Sequence, residues 1–217
     1  MGDLLYAVKR RLLDIKSGTG DLRILIRGDS NATGDWGDNG SKPHQVIASV
    51  LQSRGVYRVS IVNQAYPGDS WAEFQRCPWP SDGVDLLICA YGMNNAYKSS
   101  RLAAMQAEFA NAMNAVRYAN PLSSLAVLVV SPISAFGSSV GDAEWREPAC
   151  AMLQTLSRAY GAAFLDATSL APNPSMGGGL WMNPDGKHAG TILNIALWSA
   201  VADFILPASE AIAYKHD

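Results

Sequence analysis

Apolar residues fall along this chain in two alternating rhythms. Five short runs, Leu22 to Ile26, Val59 to Val62, Val84 to Cys89, Leu125 to Val130 and Ala162 to Leu165, carry little polar alternation, as strands covered on both faces do. Longer stretches of helical period separate them. Within Leu102 to Tyr118, Met105, Phe109, Met113 and Val116 recur at spacings of four, four and three, which gives one apolar stripe. Further helices are expected over Trp145 to Tyr160, over Thr191 to Ile205, and from about Pro43, with Ser41 upstream as a candidate cap and Pro43 in the first turn. Residues 1–20 read as an N-terminal helical extension, and 21–217 as one domain. Repeated strand–helix order implies parallel strands joined by crossovers, hence an α/β fold of three layers, α/β/α, around a parallel sheet of about five strands.

Such a sheet binds its ligands beyond the carboxyl ends of the strands. Ser30 follows the first predicted strand, Gly68 the second and Asn94 the third, so all three are expected at one rim. There is no internal repeat or low-complexity tract. Gly177-Gly178-Gly179 reads as part of a long loop rather than a boundary between domains.

Composition narrows the function classes. With 217 residues, 48% hydrophobic and 17% charged, the chain can build one sizeable core. A net charge of −2, with Lys9-Arg10-Arg11 as its densest basic cluster, argues against a nucleic-acid surface. The three cysteines, Cys77, Cys89 and Cys150, form no C-x-x-C pair, and His44, His188 and His216 are scattered, so no metal site is indicated. Cys89, inside an apolar run, reads as a small buried hydrophobe. No apolar run reaches the length of a membrane span. The first ten residues lack the basic-then-apolar order of a secretory signal, which leaves the compartment open, since the chain could be a mature form or a module of a longer polypeptide. Oligomeric state is not legible.

The candidate chemistry lies in short segments. Gly28-Asp29-Ser30 ends the first strand, and Asp185-Gly186-Lys187-His188 precedes the last helix. Together they hold a hydroxyl nucleophile, an imidazole that can act as base and then acid, and a carboxylate to orient that imidazole, which are the groups that serine acyl transfer uses. Each segment also has a plainer reading: Asp29-Ser30 as a helix cap, the second as a loop Asp beside a surface His. A repeated tripeptide, Gly68-Asp69-Ser70, follows the second strand. There Glu73 stands where a capping box with Ser70 would place it, so this copy is read as structural, with Gly68 kept as functional. After the third strand comes Tyr91-Gly92-Met93-Asn94-Asn95. The Asn94 side-chain amide and the backbone N–H groups of Gly68 and Ser30 could together bind the negative oxygen of a tetrahedral intermediate. Asn94 in an Asx-turn is the alternative.

These four segments, in this order, resemble the SGNH hydrolases, also called GDSL-type esterases, from about Asp21 to about Ile205. The resemblance implies a flavodoxin-like sheet and ester hydrolysis through Ser30, His188 and Asp185, with Ser30, Gly68 and Asn94 as the oxyanion hole and no cofactor. Two positions depart from the family pattern: Asn31, where many relatives have Leu, and Asn95, where Asp often stands. Neither carries a necessary step of the mechanism.

Substrate class rests on the loops. Trp36 lies with Asp35, Asp38 and Asn39 close to Ser30, and Trp71, Trp79 and Trp181 fall in or near rim loops. Aromatics among Asn and Asp suit a sugar ring, although they also suit partly buried packing. A small-molecule or polysaccharide ester is therefore expected, most simply an O-acetyl group on carbohydrate. The alternatives are a lipase or thioesterase for longer acyl chains, and a carbohydrate-binding module on the same fold. The loop after the first strand has neither G-x-G-x-x-G nor a P-loop.

Overall fold

The structure is a computed structural model that describes residues 5–35, 40–95, 101–133, 143–170 and 188–207, with backbone alone at 143–146 and 169. Its elements follow the two rhythms of the sequence. They are α1 (Tyr6–Lys16), β1 (Leu22–Gly28), α2 (Ser30–Thr33), α3 (Pro43–Ser53), β2 (Val59–Asn63), β3 (Leu86–Ala90), α4 (Leu102–Ala119), β4 (Ala126–Val130), α5 (Ala143–Ala159), β5 (Ala163–Leu165) and α6 (Thr191–Ile205). Short 3₁₀ turns stand at Trp71–Glu73 and Thr168–Leu170.

All five strands are parallel, in the order β2-β1-β3-β4-β5. The chain steps outward from β1 to β2, then returns past β1 to β3 and moves the other way to β4 and β5. Right-handed crossovers in opposite directions put their helices on opposite faces. Accordingly α3 packs with α6, and α4 with α5. This is a flavodoxin-like α/β/α sandwich. Between them the strands and helices bury a continuous apolar core that runs from Ile24, Ile26 and Leu87 through Val127 and Val129 to Phe109, Leu153 and Trp198.

Central strands are buried as their sequences predict: every residue of β4 and all of β1 but Arg23. β2 differs. Its residues alternate between half-buried and exposed, with Val62 39% exposed, because β2 is an edge strand. The start of α3 also differs from expectation. Its cap position is Lys42, which makes no side-chain cap bond, and Pro43 is the first helical residue. Proline has no N–H to satisfy there, and its fixed φ suits that position.

α1 is docked on the domain. Ala7, Val8, Leu12 and Ile15 are buried, and Arg11 donates to Asp85 at 3.1 Å. Asp85 also accepts from the Arg23 N–H (2.9 Å) and guanidinium (3.0 and 3.1 Å). Burial pushes this carboxyl up, but the bonds from Arg23 and Arg11 more than offset it and hold its pKa below the ordinary value. The cluster sits just before β3, at the end of the sheet opposite Ser30.

Candidate active site

Order reverses at β1, the one strand whose neighbours, β2 and β3, are reached in opposite directions. A crevice opens at such a switch point beyond the strand ends. Gly28 brings the chain into it. A Cβ at Gly28 would stand 2.5 Å from both the Ala90 carbonyl oxygen and the Ala32 Cβ, so only glycine lets β1 and β3 run together this far. Register and hydrogen bonds then bind three loops to one another: Gly28 pairs with Ala90, the Tyr66 N–H donates to the Gly28 carbonyl (3.0 Å), and the Asp29 N–H donates to the Ala90 carbonyl (3.1 Å).

Asp29 is the cap of α2. Its carboxylate accepts the N–H of Asn31 at 3.0 Å and, across the crevice, that of Met93 at 3.2 Å. The helix-cap reading of this motif therefore holds for Asp29. Burial pushes the Asp29 carboxyl up to about 7, against the pull of those two N–H groups and with some help from the charge of Asp69.

Ser30, 6% exposed, opens α2. Its Oγ lies 2.8 Å from Nε2 of His188, 158 residues away in the chain. Serine and imidazole from opposite ends of the sequence thus meet at hydrogen-bond distance. Asp185 lies outside the described residues, as do Trp36 and Trp181.

The second Gly-Asp-Ser has the structural role assigned to it. Ser70 caps the turn Trp71–Glu73, and its N–H and hydroxyl both donate to the Glu73 carboxylate (2.8 and 2.7 Å) in a capping box. Gly68 adopts φ +83° with open space where a Cβ would stand, so glycine serves the backbone there rather than the packing. Asn94 reaches that loop, its side-chain amide donating to the Asp69 carbonyl at 2.9 Å. Asn95 ties the loops as well: it accepts the Trp71 N–H at 3.1 Å and donates to Glu108.

Trp71 is not a rim aromatic. It is 1% exposed and packs among Phe74, Tyr91 and Phe109. Trp79 is 36% exposed, with its ring over the Arg27 guanidinium at 5.0 Å.

Arg27 escaped the reading of the sequence. It is 1% exposed and donates to the carbonyls of Phe74 (2.7 Å) and Cys77 (2.6 Å), which straps the loop after β2 onto β1. The signal was available: a cation in a strand covered on both faces must find partners. Asn31 Oδ1 accepts the N–H of Ala189, next to His188, at 3.0 Å.

Among the described residues no group of three or more His, Cys, Asp or Glu is arranged to hold a metal, and no helix is long and apolar enough to cross a membrane. Cys89 is buried, which pushes its thiol up to about 12.

A parallel sheet of this order, with Gly-Asp-Ser at its switch point and a histidine brought in ahead of the last helix, defines the SGNH type of hydrolase fold. The chain belongs to the GDSL-like lipase/acylhydrolase family, whose profile matches residues 26–191, and is an esterase or acylhydrolase of that family. No curated protein matches the sequence. Solved structures share the fold at low identity. A two-domain esterase (CEX) active on acetylated mannans is similar with a TM-score of 0.71 at 15% identity, over 98% of this chain and 56% of that one. The lipase/acylhydrolase from Enterococcus faecalis is similar with a TM-score of 0.69 at 16% identity, over 85% and 95%. A carbohydrate acetylesterase family member from Sinorhizobium meliloti reaches 0.61 at 17% identity, over 85% and 99%.

Proposed function

We propose that the protein is a serine esterase that removes small acyl groups, foremost O-acetyl, from carbohydrate, with Ser30 as nucleophile, His188 as base and Asp185 as the carboxylate behind it. The observation that carries this reading is the 2.8 Å separation of Ser30 Oγ and His188 Nε2. With the Nε2 lone pair toward the hydroxyl, His188 takes the serine proton as Oγ bonds to the ester carbonyl carbon. The tetrahedral intermediate collapses, His188 returns the proton to the departing alkoxide, and an acyl-enzyme remains. Water then gives a proton to His188 and attacks the acyl carbon, and as the second tetrahedral intermediate collapses His188 returns that proton to Ser30 Oγ and the free acid leaves. Negative charge on the carbonyl oxygen would be met by the N–H groups of Ser30 and Gly68 and the Asn94 amide. The protein side of this chemistry needs no cofactor.

The acetyl-carbohydrate assignment is supported by the similarity to a carbohydrate acetylesterase family member and to an esterase active on acetylated mannans, and by the tryptophans Trp36 and Trp181 in segments flanking the two motifs. One observation favours a longer-chain acyl substrate instead: Ile192 and Ile195, in the first turns after His188, are 37% and 44% exposed.

p-Nitrophenyl esters from acetate to octanoate, assayed with wild type, Ser30→Ala and Ser70→Ala, separate these outcomes. The expected result is loss of turnover in Ser30→Ala alone, with rates that are flat or fall as the chain lengthens. Equal hydrolysis by Ser30→Ala would remove Ser30 as nucleophile, and a rate that climbs toward octanoate would select the longer-chain reading. Acetate release from a panel of acetylated saccharides then identifies the sugar.

A further inference from the structure

His188 stands at the junction between the segment carrying Asp185 and helix α6, and the line of its ring toward Ser30 depends on how the backbone just after it is held. That backbone is gripped from two sides. The Ala189 N–H donates to Asn31 Oδ1 at 3.0 Å, and the Ala189 carbonyl accepts from Asn194 Nδ2 at 3.2 Å. Asn31 is the residue next to Ser30, and its own N–H is bound to Asp29 at 3.0 Å. Ala189 is 1% exposed. Serine and histidine are thus referred to each other twice, once through Oγ and Nε2, and once through their immediate neighbours in the chain.

Asn194 supplies an independent observation. It is 1% exposed on α6, and its Oδ1 is buried with no hydrogen-bond partner among the described residues. An unsatisfied buried acceptor costs about 1–3 kcal/mol, so an apolar residue of the same shape would suit the packing better. What the amide provides in return is the donor to Ala189.

We propose that Asn31 and Asn194 are positioning residues that clamp the Ala189 peptide and so fix the His188 imidazole in line with the Ser30 hydroxyl. The inference rests on the reading of Ser30 and His188 as the catalytic pair. The Asn31 side chain holds the peptide next to His188. It acts through the backbone that bears the base, and displacement of a catalytic group by about 1 Å is enough to cost on the order of a hundredfold in rate.

The test is steady-state hydrolysis of p-nitrophenyl acetate by Asn31→Leu, Asn31→Asp, Asn194→Leu and Ser30→Ala. Rates are compared per mole of folded protein in every variant. Asn31→Leu keeps the branched outline and removes the acceptor; Asn31→Asp keeps an acceptor oxygen at the same reach. The expected result is a kcat lower by about ten- to a hundredfold in Asn31→Leu, with KM within about twofold of wild type, and recovery in Asn31→Asp to within about fivefold of wild type. Asn194→Leu should lower kcat in the same direction, because it removes the donor to the Ala189 carbonyl. Wild-type kcat in Asn31→Leu, or equal impairment of Asn31→Leu and Asn31→Asp, overturns the clamp. If Asn31→Leu does not fold, Asn194→Leu and Asn31→Asp decide: unchanged kcat in the first, or a fall of more than about tenfold in the second, overturns it. Ser30→Ala separates the two levels, because its retention of activity would remove the catalytic pair itself, whereas its inactivity beside a fully active Asn31→Leu removes only the clamp.

Discussion

Asp29 shows what a carboxylate costs when it is used as a strut. Its oxygens join the turn after β1 to the loop after β3 through Asn31 and Met93, yet burial holds its pKa at about 7. The sign follows from linkage. Below the ordinary carboxylate range the group is neutral whether folded or not. As pH rises toward about 7 the unfolded chain ionises first, so stability falls, and above that the full cost of the buried charge, on the order of a few kcal/mol, is in place. Asp29→Asn keeps one acceptor and loses the one for Met93. It should therefore be less stable than wild type at pH 5, and the gap in urea-denaturation free energy should shrink by pH 8. A gap that is constant or widens would contradict this account. Asn94 makes a second prediction at this scale. With its amide held toward the Gly68 loop, Asn94→Ala should lower kcat by about 10²–10³-fold with little change in KM; a fall of less than about fivefold would remove it from the oxyanion hole. That Ser30, Gly68 and Asn94 come to one rim was legible because they follow successive strands, and the meeting of His188 with Ser30 because Gly-Asp-Ser and Asp-x-x-His pair by residue type. Asn31 and Arg27 were not, because their partners, the Ala189 N–H and the carbonyls of Phe74 and Cys77, are backbone groups that no side-chain pattern marks.

Elements were legible to within a residue or two wherever a periodic run was long, as in α4 and α6. Burial of individual strands was less so: Val59 to Val62 looks as apolar as a central strand, and only the sheet order, which short-range pattern does not carry, makes it an edge. The start of α3 could not be assigned by seeking a capping side chain, since Pro43 removes one of the N–H groups that a cap would serve. α1 is held by a charged contact as well as by its apolar face. Asp85→Ala removes the acceptor for Arg11 and Arg23 and should lower stability at pH 7 by about 1.5–3 kcal/mol, while kcat per folded molecule stays at the wild-type value, because the cluster lies away from Ser30. A folded-state pKa below the ordinary value means that this contribution is present above the usual carboxylate range and is lost as pH falls through the folded-state pKa. Melting curves at pH 7 and pH 3 check both points: the difference between variant and wild type should be larger at pH 7, and an equal difference at both would contradict the assignment.

At the scale of the molecule, one topological fact organises the site. The reversal of strand order at β1 opens the crevice, and the loops after β2 and β3 close on it from either side with Gly68 and Asn94. The last helix brings His188 to Ser30 across the whole length of the domain. The most direct measurement of that convergence is covalent labelling with a p-nitrophenyl alkylphosphonate, read by peptide mass mapping in wild type and His188→Ala. The phosphonyl adduct should form stoichiometrically on Ser30 with release of p-nitrophenol and block esterase activity, and the reaction should slow by orders of magnitude in His188→Ala. An adduct on Ser70, or an active enzyme whose Ser30 stays unmodified, would contradict it.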